Sequence, residues 1–299
     1  MSPSFEGFSD TMIEVDGLNI HTRTAGSGPP LLLLHGYPES SLMWRDVAPA
    51  LASDFTVVVT DLRGYGTSSA PVDDSDHLTY SKRAMAADQV NVMESLGYDT
   101  FCVAGHDRGG RVAHRMVLDH PSRIERLAVI DIVPTLHMFE HVDRAMADTY
   151  FHWFFLTQSG DLPERLINAD PDAWIASRFH GRHVEGHGIE PDVIAAYAAS
   201  FRDPARVAAT CADYRAAATI DLVHDRIDHA AGTRINVPLL TMWGDASYVG
   251  RTFDVVRVWE DFAQSVVGSA AQSDHYVPEE APGFTTNALR DFFSSGAGA

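Results

Sequence analysis

The stretch Gly105-His106-Asp107-Arg108-Gly109 constrains this chain more than any other part of it. An apolar run, Phe101–Gly105, leads into it, and a helical spacing of apolar residues over Arg108–Asp119 leads out. A strand that becomes a helix within one residue brings neighbouring backbone too close for side chains, and glycine on either side of the central residue removes them. Such a turn lifts its central side chain above the end of a sheet, where it can attack a bound molecule. Here that side chain is a carboxylate, which can act as a nucleophile without a base to deprotonate it.

The remaining sequence supplies a sheet for the turn to stand on. Thr11–Val15 and Leu18–Thr24 read as a hairpin around Asp16-Gly17, a type I′ signal. Leu31–Leu34 is a continuous apolar run of the kind found in central parallel strands, and it ends at His35-Gly36-Tyr37-Pro38. Thr56–Thr60 and Leu127–Asp131 read as further strands, and Tyr80–Leu96 as a helix with Gly97 at its C-cap. This alternation predicts right-handed crossovers and an α/β fold with a mostly parallel central sheet flanked by helices. From about residue 135 to 232 strand patterns stop and aromatic, amphipathic helical stretches take over, among them Phe151–Leu156, Pro191–Phe201 and Pro204–Ala218. Strand character resumes at Pro238–Trp243, and Phe284–Phe293 reads as a closing helix. The expected organisation is a core of 1–134 and 233–299 with a helical cap, 135–232, inserted into it.

Partners for Asp107 follow in the order acid, then base. Asp131 ends a strand, and His275 lies in a loop before the last helix, from which it can return over the sheet. Asp245, in Trp243-Gly244-Asp245, is the rival acid; Asp131 is preferred because the loop after Trp243 has no Asp at the usual further spacing. A carboxylate nucleophile needs a base only in the second half-reaction, so His275 is expected to activate water. Backbone N–H groups of Tyr37 and Arg108 are the expected oxyanion hole. Arg108 and Arg111, on the first turns of one helix, are fork-shaped donors suited to a carboxylate, unless they are ordinary solvated arginines. His152, Trp153 and Tyr214 are either cap core or donors to a leaving group.

Composition narrows the partners. The formal net charge is −19, which argues against nucleic acid and anionic membranes and obliges any anionic substrate to find local cations in its pocket. No apolar run reaches the ~18 residues of a membrane span. MSPSFEGFSD lacks the basic and apolar regions of a secretory leader, and two well-separated cysteines, Cys102 and Cys211, suit a reducing compartment; the expected location is cytoplasmic. His180, His183 and His187 have spacings that could suggest zinc, but no element fixes their rings together and a solvated loop is the preferred reading. No metal or cofactor is expected. Lys82 is the only lysine.

With these residues in view, the chain resembles the fluoroacetate dehalogenases, within the haloacetate dehalogenases of the α/β-hydrolase superfamily. The resemblance runs from His35-Gly36-Tyr37-Pro38 to Pro278-Glu279-Glu280-Ala281-Pro282, and its specific parts are Gly105 to Arg111, the pair His152-Trp153, and Asp213-Tyr214-Arg215-Ala216. It implies Asp107 as nucleophile, Asp131 as acid and His275 as base. It further implies Arg108 and Arg111 on the carboxylate of a small halo-acid, His152, Trp153 and Tyr214 around the halide, and a homodimer. Two features depart from the family pattern: Asp274 stands where Gly often precedes the base, and 178–188 is rich in Gly and His where a bulky aromatic is expected. An epoxide hydrolase would share the Asp nucleophile but use cap tyrosines; Arg108, and a cap with one obvious Tyr, count against it. A haloalkane dehalogenase would usually carry Trp at position 108. A non-catalytic receptor on the same fold would not need an intact triad.

Overall fold

The computed structural model describes residue 5 and residues 7–295; most of the segment before Ser9, read above for a leader, lies outside the described residues. Eight strands form one sheet in the order β1-β2-β4-β3-β5-β6-β7-β8. They are β1 Ser9–Val15, β2 Leu18–Ala25, β3 Pro30–Leu34, β4 Thr56–Thr60, β5 Phe101–His106, β6 Ile124–Ile130, β7 Leu239–Gly244 and β8 Val266–Ala271. The first two are antiparallel and turn at Asp16 and Gly17, both at positive φ as the Asp-Gly pair requires. From β4 to β8 every pairing is parallel. Leu31 to Leu34, Val57 to Val59 and Leu127 to Ile130 are fully buried, as strands covered on both faces must be.

The eighth strand has no counterpart in the sequence reading. Its residues Val266-Val267-Gly268-Ser269-Ala270-Ala271 sit on the exposed edge, and the small residues that suit an edge carry little strand signal. Helix boundaries follow local chemistry. The helix Lys82–Ser95 begins two residues later than its apolar periodicity because the Ser81 hydroxyl caps it, accepting from the N–H of Ala84 at 3.2 Å. Between β6 and β7 the described residues are helical in eight segments, from Thr135–Glu140 to Ile220–Ala230. No helix among the described residues is long and apolar enough to cross a membrane.

The functional side chains gather at the C-terminal ends of β3, β5, β6 and β7. There β5 ends at His106 and the helix Asp107–Asp119 starts at once, with Asp107 at φ +43°. A Cβ on Gly109 would lie 2.5 Å from the carbonyl oxygen of His35 and 2.7 Å from Leu34 backbone; one on Gly110 would lie 2.8 Å from the carbonyl oxygen of Gly105. The helix can therefore press onto β3 and β5 only because these positions have no side chain. Gly109→Ala is expected to lower stability by about 1–3 kcal/mol or more, since rigid backbone must move. Thermal unfolding followed by circular dichroism measures this, and a wild-type Tm would contradict the close approach.

Candidate active site

Asp107 is buried, and its Oδ2 accepts the backbone N–H of Tyr37 at 3.1 Å. That N–H is one of the two expected in the oxyanion hole, and it leaves Oδ1 without this contact. Burial alone would raise the Asp107 carboxyl, but His275, His106, Arg111 and Arg108 around it hold it below the ordinary carboxylate range. Asp107 is thus ionised at neutral pH.

His275 Nδ1 lies 2.6 Å from Asp131 Oδ2. Asp131, also at positive φ (+52°), directly follows β6, and its Oδ1 accepts from the Gly244 N–H (3.1 Å) and the Ser247 hydroxyl (2.6 Å). The rival acid, Asp245, is exposed, and its backbone N–H bonds to Ala271 at 2.9 Å. Burial, with the Arg182 and Arg111 charges nearby, pushes the His275 imidazole well below its usual pKa, so the ring is neutral and its Nε2 can accept a proton. Asp274, the departure from the family pattern, does not leave this loop unsupported. Glu280 accepts from the N–H groups of Asp274 and Tyr276, both at 3.0 Å, and so fixes the backbone on each side of the histidine.

The expected substrate arginines differ in their bonding. Arg108 is fully buried and grips Asp213 with two nitrogens, Nε to Oδ2 at 2.9 Å and Nη2 to Oδ1 at 2.6 Å, with Tyr214 stacked 4.2 Å from the guanidinium. Asp213 also bonds Lys82 and takes the Tyr65 hydroxyl at 2.7 Å. Only Arg108 Nη1 has no partner. Arg111 uses Nη1 on the carbonyl oxygen of Val133 (3.2 Å) and the Thr135 hydroxyl (2.9 Å), leaving a buried Nε free, and it lies 4.7 Å over the Trp153 ring. His152 Nδ1 and the Tyr214 hydroxyl are likewise buried with no partner. Burial holds His152 neutral and Tyr214 protonated. Four buried polar atoms on four expected site residues are therefore unsatisfied, in an interior where each such group costs about 1–3 kcal/mol.

Asp107, Asp131, His275, Arg111, His152 and Trp153 line one chamber, together with Tyr37, Tyr150, Arg178, Arg182 and Tyr276. Its free volume is about 10 Å³ measured at water centres, room for roughly one water. His183 and His187 instead approach the backbone carbonyls of Val184 and Glu280, and among the described residues no three metal-ligating side chains converge.

The pattern of the α/β hydrolase fold family matches residues 29–291. The chain belongs to that family. This hydrolase is 43% identical over 291 residues to a fluoroacetate dehalogenase from Burkholderia sp, an alignment covering 97% of this chain and 95% of that protein. It is 34% identical to a soluble epoxide hydrolase from Corynebacterium sp. (strain C12), over 94% and 95% of the two chains. Among solved structures, an α/β-hydrolase-fold protein from Nostoc sp PCC 7120 matches with a TM-score of 0.95 at 46% identity, covering 98% of this chain and 100% of that one.

Several groups of this hydrolase's site escaped sequence reasoning. Tyr150 lines the chamber, two residues before His152 in sequence but unmarked by any motif, whereas Tyr214 is not among the lining residues. Behind His275, His106 Nε2 bonds the carbonyl oxygen of His275 (2.8 Å) and Nδ1 faces Glu39 Oε2 (2.9 Å), while burial pushes the Glu39 carboxyl up to about 8. The visible signal was an acid directly after the His35-Gly36-Tyr37-Pro38 turn. Arg178 and Arg182 lay within the segment noted only for its glycines and histidines.

Burial raises Asp131 to about 6, with the Ser247 hydroxyl bond pulling it down. Below that pH the acid is neutral and no longer accepts the His275 ring N–H as an anion. Hydrolytic turnover is expected to fall as pH drops through about 6, and Ser247→Ala should move that acid limb upward. The kcat profile against pH for both proteins measures this; coincident limbs would mean another group governs the fall.

Proposed function

We propose that this hydrolase is a haloacetate dehalogenase that converts fluoroacetate or chloroacetate to glycolate and halide. The observation that carries the reading is the set of four unpartnered buried atoms around Asp107. Arg108 Nη1 and Arg111 Nε are charged donors suited to the substrate carboxylate. His152 Nδ1, with the ring hydrogen on that nitrogen, and the Tyr214 hydroxyl are neutral donors suited to a departing halide, with Trp153 beside them. A small acid with a halogen on the adjacent carbon satisfies both pairs at once.

In this reading Asp107 Oδ1 attacks the carbon that bears the halogen, the C–X bond breaks, and halide leaves with its electron pair toward His152, Trp153 and Tyr214. The carbonyl oxygen of the new ester is Oδ2, already on the Tyr37 N–H. Water then gives a proton to His275 Nε2 and attacks the Asp107 carbonyl carbon, and Asp131 holds the imidazolium that forms. Collapse releases glycolate, with the His275 proton going to the leaving alkoxide, and the carboxylic acid left on Asp107 gives its remaining proton through His275 to solvent, which restores the carboxylate. The helices between β6 and β7 act as the cap that keeps bulk water from the first step.

Epoxide hydrolysis is the second reading, favoured by the relative at 34% identity and by Tyr150 and Tyr214 on the cap side. A neutral epoxide would leave the buried Nε of Arg111 without a charged acceptor, which weighs against it. Asp107→Asn is expected to abolish halide release, whereas His275→Asn should accumulate a carboxymethyl ester on Asp107 visible by intact mass spectrometry. Diol formation from epoxides with no halide release from any haloacetate would decide for the second reading.

The donors also predict a difference between halogens. Fluoride concentrates its charge and needs strong hydrogen bonds to leave, so Tyr214→Phe or Trp153→Phe should slow C–F cleavage more than C–Cl cleavage. By comparison with an oxyanion donor the loss is about 100-fold or more for fluoroacetate. Single-turnover rates on both substrates provide the measurement, and equal losses would make these residues packing elements of the cap.

A further inference from the structure

Arg178 and Arg182 stand out among the arginines of this acidic chain. Apart from Arg111, which lies beside Asp107, other deeply held arginines meet carboxylates: Arg108 meets Asp213, Arg115 meets Asp225 and Asp228, Arg63 meets Asp88 and Arg45 meets Glu279. Neither Arg178 nor Arg182 has a carboxylate within ion-pair distance among the described residues, although Asp131 and Asp274 contribute to the field at Arg182. Arg178 bonds only the neighbouring Ser177 hydroxyl (3.1 and 3.3 Å) and rests on the Phe151 and Trp174 rings at 4.5 and 4.4 Å. Arg182 rests on the Tyr150 and Tyr276 rings at 5.2 and 5.7 Å. Stacking fixes a guanidinium in place while leaving its N–H edges free for an anion.

Their position gives these free edges a use. Both line the reaction chamber, and Arg182 also lines a second cavity of about 200 Å³, more open to solvent, whose wall includes Phe179, His180, His183, Ile189 and Ile194. Arg182 is thus the shared wall between the outer cavity and the nucleophile. With a net charge of −19 the molecule repels anions at long range, so an anionic substrate gains most from a cation placed where it enters.

We infer that Arg182, backed by Arg178, forms an anion port between the outer cavity and the reaction chamber, where a small carboxylate docks on its way in and through which halide leaves. The inference rests on the dehalogenase reading for its kinetic consequence but not for its binding one. Stopped-flow quenching of tryptophan fluorescence by iodide tests binding without any reaction. Wild type should show saturable quenching, and R182Q and R178Q should show an association rate lower by about tenfold. For chloroacetate, R182Q should lower kcat/KM by about tenfold and flatten its dependence on ionic strength. R202Q, an exposed arginine paired with Asp172, is the control for lost positive charge. Circular dichroism checks that each variant is folded. Absence of saturable quenching in wild type, an unchanged association rate in R182Q, or an equal effect in R202Q overturns the port. If wild type releases no halide from any haloacetate, the dehalogenase reading fails, and the iodide measurements still decide the port.

Discussion

The positive φ of Asp107 fixes where every other group in the site has to be. A non-glycine residue in that region costs about 1–3 kcal/mol, and the surrounding packing must enforce it. The enforcement is visible in the bare backbones of Gly105, Gly109 and Gly110, which let the helix Asp107–Asp119 sit against β3 and β5. Once Asp107 is raised there, Tyr37 can reach Oδ2 from the end of β3, and His275 can face it from the loop after β8. Asp131 repeats the device at the end of β6, again with a left-handed backbone. Both carboxylates are held by the chain path itself, ahead of any side-chain contact.

The second organising element is the cluster around Asp213. This carboxylate lies on the helix Pro204–Ala218, yet its partners Arg108, Lys82 and Tyr65 all come from the core side of the sequence. A buried ion pair is weak support for stability, because desolvation offsets most of the attraction. What it does is tie the helix that bears Tyr214 to the core, with the Tyr214 ring over the Arg108 guanidinium and its hydroxyl buried without a partner. Nε and Nη2 of Arg108 hold its place, and Nη1 has no partner. The hold of Arg108 on Asp213 is what the sequence did not suggest.

Legibility from sequence followed the strength of local signals. The glycine-flanked turn, the apolar central strands and the Asp16-Gly17 hairpin are dictated by backbone sterics within a few residues, so the fold and Asp107 could be read directly. The choice of Asp131 over Asp245 could be argued only from spacing, because it depends on which carboxylate the His275 loop meets in space. Glu39, His106, Tyr150, Arg178 and Arg182 were out of reach for the same reason: their roles arise from long-range contacts with residues of no distinctive pattern. The edge strand β8 was missed because small residues suit an exposed edge without announcing it.

Lys82 carries a consequence of another kind. It is the only lysine in the sequence, and its amine lies buried against Asp213 at the seam between the core and the helix that bears Tyr214. Side-chain acylating reagents should therefore find nothing to label while that seam is closed. Any label that does appear on Lys82 records an opening of the joint, which makes the natural sequence its own single-site reporter of how often, and under what conditions, the two parts separate.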